Sequence, residues 1–103
     1  MSIGIVVIGR NEAGRLPLCL DSLPARIPVC YVDSGSIDGS PQIAERRGAD
    51  TVQLSDSIPF SAARARNAGF ERLQQTQPDL EMVFFIDGDC ILEPEFLPQA
   101  IQF

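Results

Sequence analysis

Two carboxylates one residue apart, Asp87 and Asp89, follow the most apolar run of the chain in the stretch FFIDGDCILEPEFL at residues 84–97. Close carboxylates repel each other unless a cation lies between them, and paired oxygen ligands suit Mg²⁺ or Mn²⁺. Gly88 between them lets the backbone turn so that both side chains face one ion. Because Mg²⁺ completes its ligand shell from water and phosphate oxygens, the pair indicates a nucleotide diphosphate. The same residues are also typical of a turn after any strand.

A metal site of this kind needs a rigid structural support, and the rest of the sequence predicts a fold that supplies one. Apolar runs of strand length alternate with segments of helical spacing, which is typical of an α/β fold with a mainly parallel sheet of about four strands flanked by helices. The first and last runs barely alternate and are predicted to be buried on both faces. The strands are expected at 3–9, 28–33, 50–54 and 81–87. The helices are expected near 13–23, from Ser40 to Gly48 and from Ser61 to about Thr76.

Polar side chains stand where these strands end. Asn11 and Glu12 follow the first strand, Asp33 ends the second, and Asp87 and Asp89 end the fourth. In an open parallel sheet, ligands bind in the crevice outside the carboxyl ends of the strands. We therefore expect all five side chains to border one pocket.

The third helix places a charge among apolar residues. At ~100° per residue, Arg66 falls within a stripe formed by Ala62, Ala65, Gly69, Phe70 and Leu73, whereas Arg64 points to the opposite side and is expected to be solvated. A buried guanidinium needs a carboxylate or phosphate partner. Arg66 is therefore predicted to pair with a strand-end acid such as Asp87 or with a ligand phosphate, and both alternatives put it at the pocket wall.

The segment VDSGSIDGS at residues 32–40 predicts a tight turn between a strand and a helix. Gly35 and Gly39 supply positive φ angles, and Asp38 or Ser40 caps the helix. Asp33 at the strand tip is free to accept hydrogen bonds from a base or a ribose hydroxyl. We interpret Asp33 as functional and Asp38 as structural.

The composition of the chain limits which binding partners and which cellular compartment are expected. The chain has 103 residues, which suits one domain at 1–103, and its net charge of −6 disfavours binding to nucleic acid or anionic lipid. The three cysteines are widely spaced without a CxxC pair, which disfavours a disulfide framework or zinc site and fits a reducing cytoplasm. The N-terminal apolar run is too short to span a bilayer. Peripheral attachment at the inner membrane face stays open for a full-length protein.

Four segments, VVIGRNEAGRL, VDSGSIDGS, SAARARNAGF and FFIDGDC, resemble in order and spacing the N-terminal, donor-binding half of family 2 glycosyltransferases. The resemblance covers nearly the whole chain. It implies the nucleotide-diphospho-sugar transferase (GT-A) fold, an inverting and metal-dependent transfer, and a nucleotide-diphosphate sugar donor, most often a UDP-sugar. The nucleotide base, the sugar and the acceptor stay open.

The resemblance also implies roles for single residues. It places Asn11 and Glu12 beside the nucleotide and Asp33 at the base. Asp87 and Asp89 form its DxD motif, with Asp89 as the principal metal ligand. Arg66 and Asn67 line the donor pocket.

The chain departs from the family pattern in two places. Ser34 stands where the family frequently has a second acid, and the chain ends at Phe103, before the family's general base and acceptor site. We therefore expect a donor-binding part that lacks the catalytic base. The family sheet order, 3-2-1-4, would leave the strand at 81–87 as an open apolar edge. That edge predicts a homo-oligomer, formed by strand pairing or by exchange of the segment from Pro94 onward.

Other classes fit less well. A nucleotide-binding or structural module without turnover is the main alternative. A haloacid-dehalogenase-like phosphohydrolase also carries two aspartates after an apolar strand, but it needs a downstream lysine, and this chain has none. A calcium loop of the EF-hand type is excluded because Ile91 and Leu92 stand where a ligand and the turn glycine belong.

Overall fold

A computed structural model describes residues 2–55, 57–94 and 96. Its four strands all pair in parallel, in the order β3-β2-β1-β4. The strands are β1 (Ile3–Gly9), β2 (Val29–Asp33), β3 (Asp50–Gln53) and β4 (Met82–Asp87), and the helices are α1 (Leu16–Asp21), α2 (Ser40–Arg46) and α3 (Ala62–Thr76). The α/β class, the strand positions and the strand order predicted from the sequence are confirmed.

The helix boundaries follow from local chemistry. Ser61 caps α3, since its hydroxyl accepts a hydrogen bond from the backbone N–H of Arg64 at 3.3 Å. Gly39 precedes α2 with φ +86° and Gly48 follows it with φ +84°, a region that favours glycine. Ser40 is the first residue of α2 and not its cap, because the carboxylate of Asp38 accepts the Ser40 N–H instead.

The first helix is shorter than the predicted segment 13–23. Residues 13–15 form a turn in which the N–H groups of Arg15 and Leu16 both donate to the carbonyl of Glu12. At the other end, the N–H of Ser22 donates to the carbonyls of Leu18 and Cys19, which closes the last turn. The helix is therefore confined to six residues.

The core lies on both faces of β1 and β2. One buried cluster packs under α1 and α2, and the other under α3. The first consists of Ile5, Val7, Leu16, Cys19, Tyr31 and Ala44, and the second of Val6, Ile8, Cys30, Val32, Ala65 and Leu73. Alternate residues of β1 thus serve opposite faces, which confirms that the first strand is buried on both sides.

The prediction that the last strand is equally buried is wrong. Phe85 of β4 is 44% exposed, and no residue of this strand is fully buried. The reason is position, because among the described residues β4 pairs only with β1 and forms an edge of the sheet. An apolar run alone does not report how many neighbours a strand has.

The predicted orientation of α3 is also wrong in part. Its buried residues, Ala65, Gly69 and Leu73, all belong to the predicted stripe, whereas Phe70 at the edge of that stripe is 39% exposed. Arg66 lies beside these buried residues and is exposed, whereas Arg64 is half-buried and donates to the backbone carbonyl of Ser55 at 3.3 Å. The helix approaches the sheet closely at Gly69, where a Cβ would meet Val6.

In the part of the chain that the structure describes, no helix is both long enough and apolar enough to cross a membrane.

Candidate functional site

The parallel register brings the predicted site residues to one edge of the sheet. Asp33 at the end of β2 is aligned with Gly9, and Asp87 at the end of β4 is aligned with Ile8. Beyond the strand, the N–H of Gly88 donates to the carbonyl of Ile8 at 2.8 Å, which extends the pairing and fixes where the chain turns. The loops that follow β1, β2 and β4 therefore start side by side.

A cavity of about 410 Å³ opens at this edge. Its charged lining comes from three places in the chain: the loop after β1, the first turns of α3 and the end of β4. These residues are Arg10, Glu12, Arg66, Asp87 and Asp89. A second cavity of about 330 Å³ adjoins it, is mostly apolar, and shares Arg66 and Asp87 with the first. The predicted position of Arg66 at the pocket wall is thus observed, although its predicted burial is not.

The two aspartates form a cluster with the cysteine that follows them. One ligand atom each from Asp87, Asp89 and Cys90 lie within 4.8 Å of one another, and all three residues are exposed. Oxygens that share an Mg²⁺ ion at 2.0–2.1 Å lie about 3 Å apart at adjacent positions, so small side-chain rotations would close the group around one ion. The donor set therefore fits a divalent cation.

Two neighbours affect the charge of this cluster. Arg15 places Nη1 3.8 Å from Oδ2 of Asp89, a loose and exposed ion pair. The pKa of the Cys90 thiol is raised, first by desolvation and then by the charge of Asp89. On the buried side, Cys19 donates to the carbonyl of Asp87 at 3.7 Å, and burial raises the pKa of its thiol to about 11. The cluster carries excess negative charge that a cation would offset.

Gly88 has a steric role between the aspartates. It is buried, and a Cβ at this position would lie 3.3 Å from the carbonyl oxygen of Ile8 and 3.4 Å from Cδ1 of Leu16. Its φ is not positive, so the close approach explains the glycine better than an unusual turn. The absence of a side chain lets β4 end against β1 with Asp87 and Asp89 both at the cavity.

The carboxylate of Asp33 is committed to its own loop. It is 2% exposed and accepts three hydrogen bonds: from the hydroxyl of Tyr31 at 2.7 Å, from the N–H of Ser36 at 2.8 Å and from the Ser36 hydroxyl at 2.6 Å. Burial, followed by the bond to Asp33, raises the pKa of Tyr31 above its usual range. Asp33 thus shapes the β2–α2 loop, and contact with a base remains a prediction.

Asn11 and Asp38 form hydrogen bonds that join the loop after β1 to the loop after β2. Asn11 has φ +54°, its N–H donates to the Ser36 hydroxyl at 2.8 Å, and its side-chain oxygen accepts from the N–H of Ile37 at 2.9 Å. Asp38 accepts from the N–H of Ala13 at 2.9 Å and from the Ser40 hydroxyl at 2.6 Å. The Ser40 hydroxyl bond, followed by the Ala13 N–H bond, lowers the pKa of Asp38 below its usual value. The structural interpretation of Asp38 is confirmed.

The remaining predicted residues differ in position. Glu12 is half-buried and lines the larger cavity, whereas Asn67 is exposed on α3 and lines neither of the two cavities. Sequence reasoning missed Arg10 and Phe60, which line the cavity, and Arg15. Arg10 directly follows β1, so the argument from strand ends had a signal for it. Nothing in the spacing of Phe60 indicates its position.

The sequence of this chain is similar to a protein-family model and to known proteins. The sequence model described as Glycosyl transferase family 2 matches residues 4–103. A TPR repeat-containing protein of Synechococcus elongatus is 33% identical over 92 residues, which is 88% of this chain and 22% of that protein. Glycosyltransferase AglE of Haloferax volcanii is 26% identical over 108 residues, which is 96% of this chain and 34% of that protein.

A solved structure agrees with the fold. The crystal structure of M. tuberculosis glucosyl-3-phosphoglycerate synthase superposes with a TM-score of 0.70 and 27% sequence identity, covering 98% of this chain and 39% of that one. The chain therefore spans between about a fifth and two fifths of the length of these relatives.

Proposed function

Because the chain belongs to glycosyltransferase family 2, we propose that it binds the nucleotide-diphosphate sugar donor of a glycosyl transfer. The proposal rests on the cavity at the strand ends, because Asp87, Asp89 and Arg66 all line it. Carboxylates that hold a divalent ion, together with a guanidinium, form a surface that complements a diphosphate.

The metal is proposed to be Mg²⁺ or Mn²⁺, held by Asp87 and Asp89 with Asp89 as the principal ligand. When bound, such an ion neutralises the charge that develops on the departing diphosphate. Arg66 contributes a fixed positive charge on the α3 side of the cavity, and its exposure leaves the guanidinium available to a phosphate. Gly88 keeps the two aspartates against the end of β1.

The nucleotide is proposed to lie toward the loops after β1 and β2. Glu12 lines this side of the cavity, and Asn11 and Asp33 hold the two loops in place. UDP is the proposed nucleotide and the transfer is proposed to invert the anomeric centre. Since the chain spans less than half of its relatives, these statements concern the donor-binding part, and we assign no general base among the described residues.

We place this binding in the cytoplasm. Three unpaired cysteines, two of them buried, suit a reducing compartment.

Isothermal titration of UDP with and without Mn²⁺ tests the proposal. We expect binding that requires Mn²⁺, and a loss of about tenfold or more in affinity for Asp89→Ala, exceeding the loss for Asp87→Ala. Asp79→Ala is a matched control, because Asp79 is an exposed aspartate in the turn after α3 and lines neither site cavity. Equal affinity with and without Mn²⁺ in all four proteins would contradict the metal assignment, and no UDP binding at all would contradict the function.

A further inference from the structure

One aromatic side chain stands among the polar groups of the larger cavity. Phe60 lines this cavity together with Arg10 and Glu12, and it is 52% exposed. Its neighbours in the chain restrict its backbone, because Pro59 before it has a fixed φ and Ser61 after it caps α3. The ring is therefore held at the wall of the cavity while part of its surface is open to a flat ligand group.

Phe60 lies on the side of the larger cavity that is away from the apolar one. The two cavities share Arg66 and Asp87, so these residues lie where the cavities adjoin, whereas Phe60 lines only the larger of the two. Helix α3 packs mainly on β1 and β2, and the segment before it therefore lies at the carboxyl ends of these two strands. Phosphates bound at Asp87 and Arg66 would leave the part of the cavity beside Phe60 for the rest of the nucleotide.

The side chain that the sequence indicated for the base offers it little surface. The carboxylate of Asp33 is buried and accepts three hydrogen bonds within its own loop. An aromatic side chain supplies a different kind of contact, because every nucleobase has a π face that can stack on a ring. Phe60 has this chemistry and is exposed in the cavity.

We propose that the nucleobase of the donor stacks on the ring of Phe60. Such stacking is sequence-tolerant in other nucleotide-binding sites, so it would hold the nucleoside without by itself selecting one base. The inference rests on the proposed donor binding and adds the residue that holds the base.

Calorimetry with UDP and with inorganic pyrophosphate, both in the presence of Mn²⁺, separates the contribution of the nucleoside from that of the phosphates. We expect Phe60→Ala to weaken UDP binding by about tenfold and to leave pyrophosphate binding unchanged, whereas Phe60→Tyr, which keeps a ring, should bind both as the parent does. Ile58→Ala is the matched control, because Ile58 is 51% exposed in the same loop and lines neither site cavity. Thermal melting establishes that each variant is folded.

Proton NMR of UDP gives a second readout, which a purely structural role of Phe60 would not produce. With Mg²⁺ as the diamagnetic ion, the signals of the two ring protons of uracil should move upfield on binding, because an aromatic ring shields protons above its face. The shift should persist in Phe60→Tyr and Ile58→Ala and be lost in Phe60→Ala.

The outcomes separate this inference from the function on which it rests. If Phe60→Ala bound UDP as the parent does, or lost equal affinity for UDP and pyrophosphate, the stacking would be overturned and metal-dependent donor binding would stand. A parent protein that does not bind UDP would contradict the proposed function and the inference with it.

Discussion

Single side chains join the loop after β1, which lines the cavity, to the loop after β2. Asp38 is the clearest case, because its carboxylate joins the N–H of Ala13 in one loop to Ser40 at the start of α2. The bonds that it accepts favour the charged form and lower its pKa. Although the side chain is exposed, its bonds hold the loop after β1 in place. How firmly that loop is held therefore depends on whether the Asp38 carboxyl is ionised.

We expect Asp38→Ala to lower the free energy of unfolding by about 1 kcal/mol at neutral pH, which is below the usual range for bonds to a charged group because Asp38 is exposed. The folded-state pKa lies below the ordinary value of 3.8, so this stability is present above about pH 4 and is lost as pH falls through the folded-state pKa. Urea unfolding at pH 7 and pH 2 measures it. A difference between parent and variant that is the same at both pH values would contradict the assignment, and Asp79→Ala controls for the loss of one exposed aspartate.

Replacing Arg66 should weaken ligand binding without changing the stability of the fold. Its side chain is exposed and forms no ion pair among the residues that the structure describes, so Arg66→Ala should leave the melting temperature unchanged. UDP affinity in the presence of Mn²⁺ should fall by about tenfold, equivalent to about 1.4 kcal/mol. Arg46→Ala, which removes an exposed arginine from the last turn of α2, is the control and should change neither quantity. A variant that binds UDP as the parent does would remove Arg66 from the site.

The argument from strand ends predicted where the candidate cavity lies but not which side chains are free to bind a ligand. Asp33 was identified because it ends β2, yet its carboxylate is buried and bonded within the loop. Tyr31 stands two residues before it and on the same face of the strand, which was an available signal. Ser36 was not predictable as a partner, because that bond depends on how the following loop folds back.

At the level of elements, α3 approaches the sheet closely at Gly69. Gly69 lies directly over Val6 and Val32, where a Cβ would be 3.0 Å from Cγ2 of Val32 and nearer still to Val6. This approach sets the rotation of α3, and with it the position of Arg66 one turn earlier. Packing at the middle of the helix therefore governs the wall of the cavity.

We expect Gly69→Ala to destabilise the fold by about 1–3 kcal/mol, because the added methyl overpacks this contact despite the higher helix propensity of alanine. Gly14→Ala is a matched control, since a Cβ at Gly14 meets nothing within 4 Å and its φ is not positive. Urea unfolding of both variants checks the prediction. If Gly69→Ala were as stable as the parent, α3 would not pack on the sheet as described.

The elements were largely predictable, because apolar runs and capping residues are local signals. All four strands fall within the predicted ranges, and α3 begins after Ser61 and ends at Thr76 as expected. Burial was less predictable because it is set by neighbours. The apolar run at β4 predicted burial on both faces, but the strand is only partly buried at the edge where the family sheet order had placed it, and α1 is limited to six residues by hydrogen bonds that composition does not reveal.

For the molecule as a whole, the β4 edge and the segment that follows it expose apolar side chains beside the site. Three apolar side chains are exposed here: Phe85 (44%), Ile91 (63%) and Phe96 (46%). The ring of Phe96 packs edge-on against that of Phe84, with 6.0 Å between the ring centroids. An apolar edge strand is a template for pairing with another chain. The predicted exchange of the segment from Pro94 onward concerns residues that, apart from 94 and 96, lie outside the described part of the chain.

We propose that the chain self-associates through this edge, and we expect its apparent mass in light scattering to rise with concentration. Phe85→Lys should shift the population toward monomer, because a charged residue on an edge strand opposes pairing. Ile37→Lys is the control, since Ile37 is 94% exposed in the loop before α2, away from β4. A parent protein that stays monomeric at every concentration would contradict the proposed interface.

The most direct test of metal-supported nucleotide binding at the strand ends is an NMR titration of the isotope-labelled chain with UDP and Mn²⁺. The paramagnetic ion broadens the amide signals of residues closest to it, and Mg²⁺ serves as the diamagnetic control. We predict that the signals of Asp87, Gly88 and Asp89 broaden first, while those of Gly48 and Ala49, beside the start of β3, stay sharp. Broadening centred elsewhere, or spread evenly over the chain, would contradict the account.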